Sequence, residues 1–254
     1  MDDPACRAPV RQVLKNTSPL GAGDQGTKVD QDSNFIEASA EQLLTDQLFE
    51  QLSEAIVKGT FGPGTKLSEP RLAAHYGVSR GPLREAIRRL EERKLVTRAP
   101  RQGVRVVVPT PDNALELFTI REVLEGLAAR EAARNASDAD IEGLRQMLET
   151  HREALLKADA MIYWQDTANS DFHFTVARLS RNQHLFDLLC GEYYTLFRLY
   201  RMQHRIVPGR ARRALVEHER IVDAIADRDP ELAELLMRRH IASARNGLIA
   251  QTTQ

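Results

Sequence analysis

The sequence predicts a mainly α protein in two parts: an N-terminal winged helix-turn-helix with a small β-hairpin, then an all-α antiparallel helical bundle. Three observations predict it. Residues 69–98 hold two short helical patterns separated by a turn and followed by a basic-tipped hairpin. Pro109-Thr110-Pro111 then interrupts both strand and helix. Beyond Val108 the sequence shows no strand pattern, and apolar residues recur at spacings of three and four.

Each element of the first part has a local reason. The pattern Arg71-Leu72-Ala73-Ala74-His75-Tyr76 stops at Gly77, a residue suited to the left-handed conformation that ends a helix. Val78 follows as a buried plug, and Ser79 is placed to cap the next helix. On that helix Leu83, Ala86, Ile87 and Leu90 define one apolar face. Arg80, Arg84 and Arg88 lie on another, with Arg89 and Arg93 adding charge. An apolar stripe backed by an arginine ridge suits a helix seated in a DNA major groove, where guanidinium groups reach phosphates and guanine edges. Leu95-Val96 and Val104–Val108 are β-prone, and the segment 97–103 between them is a polar, basic tip carrying Arg101 and Gly103.

Ahead of this module, residues 1–38 are rich in Pro, Gly, Asp, Asn, Ser and Thr without periodicity, and they read as a disordered extension. Order is expected from about Ala40, where Leu43, Leu44, Leu48, Leu52, Ile56 and Val57 mark a helix ending at Gly59. The expected division is therefore extension 1–38, winged module 39–108, linker 109–113 and helical domain 114–250.

Composition limits the function classes. The 254 residues carry a net charge of −1, so the chain as a whole does not advertise a nucleic-acid partner. Cations nevertheless exceed acids over 41–108, while acids exceed cations on both sides. The two cysteines, Cys6 and Cys190, have neither disulfide nor metal spacing. No apolar run is long enough to span a bilayer and no signal sequence is evident, so a cytoplasmic protein without a membrane partner is expected.

The string PGTKLSEPRLAAHYGVSRGPLREAIRRLEERKLV resembles the DNA-binding domain of GntR-type bacterial transcription regulators. Pro63, Gly64, Leu67, Glu69, Leu72, Ala73 and the run from Val78 to Leu90 carry the likeness. Lys94 departs from it, standing where the family usually has Gly, as does Gln102 in a tip that often reads G-R-G. The resemblance implies DNA contacts from counterparts of Arg71, Arg80 and Arg84. Ser79, Arg88, Arg101 and Gly103 complete the expected DNA-binding set.

The bundle reads as six or seven helices. The first runs toward Arg134 and a second carries Ile141 to Leu156. A third spans about Met161 to Leu179, and a fourth Gln183 to His204. A fifth ends near Asp227, and a sixth is capped by Asp229 with Pro230 at its first position. REVLEGLAAREAA, FHFTVARLSRNQHL and EHERIVDAIADRDPELAELLMRRHI are similar to the ligand-binding domain of the FadR branch of the same family.

Asn169 and His173, four apart, are expected on one helix face, with His218 and His240 each on its own helix. Taken singly, a histidine on an amphipathic helix is usually just a half-buried polar tip. In the resembling domains Asp or Asn at the first position and His at the other three hold a divalent metal. Three imidazoles suit zinc first, with nickel, copper or iron as alternatives, and an oxygen ligand extends the set to manganese. Asn169 brings no charge where many relatives have Asp, and Asp171 is expected about 200° around the helix on the far face. The centre then keeps a charge near +2, which favours an anionic ligand. Arg121 matches a family arginine that reaches a ligand carboxylate; by itself it reads equally as a surface or dimer-interface residue.

The expected function is a DNA-binding transcription regulator, a repressor, controlled by a small carboxylate at the metal. Two half-sites imply a homodimer on a palindromic double-stranded operator. Two other readings are a metal-dependent hydrolase built on the three histidines and a regulator whose metal is purely structural. The hydrolase lacks a general base in an HExxH-type helix and leaves the winged module unexplained.

Overall fold

The computed structural model describes residues 29–100, 102–157, 171–204 and 209–252. It divides into two compact units, Met1–Val108 and Pro109–Gln254.

The first unit begins with helix α1, Val29–Val57. The helix starts ahead of the expected boundary near Ala40, so residues 29–38 are not an irregular extension. Residues 29–39 contain no Gly or Pro to break a helix. Residues 1–28 of the expected extension lie outside the described residues. Leu48, Leu52 and Ile56 of α1 are fully buried, and this helix packs on α3, Arg80–Glu92. Between them lie β1, Lys66–Leu67, and α2, Glu69–Tyr76. After α3 come β2, Val96–Ala99, and β3, Gly103–Val106.

The strands form an antiparallel sheet in the order β1-β3-β2, with Val96 opposite Val106 and Lys66 opposite Arg105. Strand β1 was not expected, because two residues carry no periodicity. It is held by Gly64 N–H donating to Val106 O and Val106 N–H donating to Thr65 O. Gly77 adopts the expected left-handed conformation, φ 65°, and Gly103 has φ 79°.

Ser79 occupies the cap position of α3 in extended geometry, but its side chain makes no capping hydrogen bond. Helix α3 ends with Lys94 at φ 57°. Leu95 N–H reaches back to Leu90 O and Lys94 N–H to Glu91 O, while Leu90 and Leu95 are both buried. This is a Schellman ending carried by lysine where glycine is the unstrained choice.

The second unit is helical throughout its described residues. Its elements are α4, Pro111–Asn135; α5, Asp138–Lys157; α6, Phe172–Leu179; and α7, Gln183–Phe186. A π-helical turn, Asp187–Glu192, is followed by α8, Tyr194–His204; α9, Arg210–Ala226; and α10, Pro230–Thr252.

Helix α4 packs along α10 and touches α6 and α9. Gly126 permits the close approach to α10, since a Cβ there would lie 2.6 Å from Arg238 Cγ. Residues 111–113 of the expected linker belong to α4: the Thr110 side chain accepts from Asn113 N–H, and Pro111 sits at the helix start, where its missing donor costs nothing. The expected fourth helix is divided into α7, the π turn and α8. The expected third helix begins at Phe172, and residues 158–170 lie outside the described set.

Candidate nucleic-acid interface and metal centre

Helix α3 turns two faces in opposite senses. Leu83, Ala86, Ile87 and Leu90 are completely buried, whereas Arg80, Arg84 and Arg88 are exposed. Arg71 on α2 is also exposed, as is Ser79. The ridge arginines are partnered by nearby acids: Arg84 with Glu69 at 2.9 Å, and Arg88 with Glu85 and Glu92. Arg89 faces α1 instead, pairing with Asp46 at 2.5 Å and lying 4.5 Å above the Phe49 ring. It is a packing residue. Arg101 lies outside the described residues, while Gly103 opens β3 opposite Ala99. The exposed candidate residues thus lie on one helix face and an adjoining short helix.

In the second unit, Asp171 sets the local geometry. Its φ of −85° and ψ of 113° are extended, and its buried side chain accepts from His173 N–H at 3.0 Å and Phe174 N–H. Asp171 is therefore the cap of α6, not a residue on the helix's far face. The α-helical spacing expected from Asn169 to His173 is interrupted by this cap, and Asn169 itself lies outside the described residues.

His173 on α6, His218 on α9 and His240 on α10 bring one nitrogen each to within 4.8 Å of the others. His218 Nε2 and His240 Nε2 are 3.2 Å apart. Two nitrogens bound tetrahedrally at about 2.0–2.1 Å to one zinc would stand roughly 3.3 Å apart, so the His218–His240 pair is spaced for such an ion. Phe172 stacks on the His218 ring with centroids 4.0 Å apart, closing one side.

Two carboxylates absent from the sequence-based site complete the centre. Glu125 Oε2 lies 2.5 Å from His173 Nδ1, and Glu217 Oε2 lies 2.6 Å from His240 Nδ1. A carboxylate on Nδ1 orients a histidine and leaves Nε2 for a metal. Arg210 pairs with Glu217 at 2.6 Å. Burial pushes the Glu217 carboxyl up, but its hydrogen bond to His240 and the nearby Arg210 outweigh this and hold it below its ordinary value. Glu125 is likewise held well below the carboxylate range, as Arg121 and His173 overcome its burial. Burial pushes His240 down to about 4 and His218 well below its ordinary value, each reinforced by neighbouring cations. Both are neutral near pH 7, the form that binds metal.

Arg121 is buried, with Nε donating to Glu125 Oε1 at 2.7 Å and its guanidinium over the Phe118 and Phe197 rings. It is not a surface residue. It lines a pocket with Glu125 and His173, whose remaining described walls are Phe174, Leu189, Cys190, Tyr194 and Phe197. Leu189 and Cys190 come from the π-helical turn, a geometry that recurs at functional sites. Of the other histidines, His75 and His184 are exposed, and His151 is buried on α5 near enough to act on His218.

Residues 44–106 match the bacterial regulatory proteins of the gntR family, and residues 116–243 match the FCD domain. The chain belongs to the GntR family. The HTH-type transcriptional regulator YdhC of Bacillus subtilis (strain 168) is 31% identical over 76% of this chain and 86% of its own. The HTH-type transcriptional repressor GlaR of Escherichia coli (strain K12) is 26% identical over 75% of this chain and 89% of its own. A transcriptional regulator GntR from Rhodococcus sp. RHA1 superposes with a TM-score of 0.63 at 28% identity, covering 81% of this chain and 97% of that one. As a GntR-family protein this chain is a DNA-binding transcription regulator, and these relatives are regulators and not enzymes. Among the described residues, no helix is long and apolar enough to cross a membrane.

Proposed function

We propose that this GntR-family protein is a repressor whose operator affinity is set by a small carboxylate bound beside a metal ion in the FCD domain. The observation that supports it most is the convergence of His173, His218 and His240, two of them backed by buried carboxylates, next to a pocket lined by Arg121. The three histidines would hold the metal through imidazole nitrogens, and Asn169 is a candidate fourth ligand. A bound divalent ion supplies positive charge that draws an anion to its open position. Arg121 adds a buried guanidinium at the same pocket, and Glu125 and Glu217 orient the imidazoles. Repression is proposed by analogy with the GlaR relative, named as a repressor.

On the DNA side, Arg71, Ser79, Arg80, Arg84 and Arg88 would contact the operator, with Arg101 and Gly103 at the wing. A homodimer on a palindromic operator follows from the small footprint of one module. Helix α4 leaves Ile120, Val123 and Leu127 exposed at helical spacing, which is surface available for self-association. Light scattering at micromolar concentration should return twice the 28.6 kDa chain mass; a monomer both free and on DNA would refute the dimer.

The decisive experiment combines metal analysis with operator binding. The purified chain should carry a stoichiometric transition metal, zinc foremost. A small carboxylate should change operator affinity by about five- to 150-fold, a coupling of about 1–3 kcal/mol. If carboxylates leave the metal-loaded protein's melting temperature and operator affinity unchanged, the metal is structural.

A further inference from the structure

The three-stranded sheet of the first unit has two unlike faces. Leu67, Val96, Val104 and Val106 share one face and are buried. Lys66 on β1, Arg105 on β3 and Thr97 on β2 stand in one row on the other, Lys66 opposite Arg105 and Arg105 opposite Thr97. Lys66 and Thr97 are exposed and Arg105 is half-buried. Arg105 Nη1 donates to Gly64 O at 2.9 Å, while its buried Nε has no acceptor among the described residues. A Cβ on Gly103 would lie 3.4 Å from Lys66 Cε, so the lysine stem crosses toward the end of the hairpin. We propose that Lys66 and Arg105 together bind a backbone phosphate of the DNA duplex, adding a contact from β1 to those of α3 and the wing tip. This rests on the DNA-contact reading given above.

Two cations directly opposite each other on paired strands repel and destabilise a sheet unless an anion lies between them. The chain supplies none here. Residues 60–68 and 95–108 contain no Asp or Glu, and among the described residues neither Lys66 nor Arg105 forms an ion pair. Arg98 shows the contrast from the other face of the same sheet, where it reaches Glu91 at 3.4 Å and Glu69 at 3.9 Å. The outer row is therefore a pair of cations whose counterion has to come from outside the chain. A phosphate diester meets that need, since an ammonium and a guanidinium can flank its two free oxygens. The row lies on an open sheet face, so a free ion gains little there. A duplex already held by α3 instead presents its phosphates at high effective concentration. Such a contact positions the duplex and reads no bases.

The test titrates the full-length chain with its operator and with a scrambled duplex, by fluorescence anisotropy from 50 to 200 mM salt. Lys66→Gln should weaken both duplexes by the same factor, about five- to tenfold near 0.1 M salt, and lower the salt slope by about 0.9, the value of one phosphate contact. Lys66→Arg should keep the wild-type slope. Lys58→Gln, which removes a cation at the far end of α1, controls for net charge and should leave the slope unchanged. Lys66→Glu gives a readout that a merely structural lysine would not: by pairing with Arg105 it should slow hydrogen exchange of the 96–106 amides roughly two- to fivefold while binding DNA least of all. An unchanged slope in Lys66→Gln, a Lys58→Gln loss of equal size, or faster exchange in Lys66→Glu overturns the proposal. If Arg84→Ala also leaves operator affinity unchanged, the DNA-contact reading falls; if Arg84→Ala weakens it and Lys66→Gln does not, only the phosphate contact falls. Should Lys66→Glu fail to fold, the Lys66→Gln slope alone decides.

Discussion

The arginine ridge of α3 and the histidine centre of the FCD domain are both polar constellations on amphipathic helices, yet they are built in opposite ways. Arg80, Arg84 and Arg88 come from a single helix and stand in solvent, and Arg84 and Arg88 take their partners from residues close in sequence or on the adjoining helix. His173, His218 and His240 come from three helices and are largely withdrawn from water, and two of them, His173 and His240, are oriented by carboxylates on α4 and α9. A surface that reads phosphates must let its cations move to the ligand, whereas a centre that holds one ion must be fixed before the ion arrives. The first can lose a member and keep its geometry. The second cannot.

That contrast can be broken most sharply at the buried centre. His173→Ala with His218→Ala should abolish stoichiometric metal and any carboxylate response, leaving operator binding in place; elemental analysis and fluorescence anisotropy on the same preparation check both halves. In the metal-free protein, His240 supplies a second test. Its folded value of about 4 lies below the ordinary 6.5, so the unfolded chain binds the proton more readily between those values. Stability contributed above pH 6.5 is therefore lost as pH falls toward 4, by roughly 3 kcal/mol from this group. Urea melts in chelator across that window should show the decline, and His240→Gln should make it shallower, His218 carrying the remainder.

Smaller effects sharpen the comparison. Arg84→Ala should cost about 1–3 kcal/mol of operator binding without altering metal content, as seen by anisotropy titration and elemental analysis. Glu217→Gln should do the converse, weakening metal affinity roughly 10- to 100-fold in a competition assay with no change at the operator. The smallest expected change is Lys94→Gly. Removing the left-handed lysine at the end of α3 should stabilise the protein by about 1 kcal/mol, visible as a higher melting midpoint.

How much of each region was legible follows from the same contrast. The ridge is periodic information on one helix, so Arg80, Arg84 and Arg88 and the buried stripe opposite them could be read directly. Among the residues of the centre, the histidines were legible through a family likeness, but Glu125 and Glu217 were not, because their role depends on which imidazole each meets in space. Arg121 and Glu125 do stand four apart on α4, a spacing that could have suggested the pair. Two local signals were open to the opposite reading. Thr110-Pro111 reads in sequence as a breaker, yet it is a cap followed by a helix start. Asp171, ahead of the apolar run Phe172–Leu179, was placed within a longer helix when its carboxylate ends that possibility by binding two N–H groups.

The acids that partner Arg84 and Arg88 have a consequence for the search along the chromosome. A regulator meets vastly more wrong sequence than right, and bare arginines would hold all of it through phosphate charge alone. Glu69, Glu85 and Glu92 act as resident counterions. If the ridge engages the operator as proposed, a duplex would have to displace them, and one with the wrong base edges would offer less in exchange. Dwell times on irrelevant DNA would then shorten, while the operator would retain its lead.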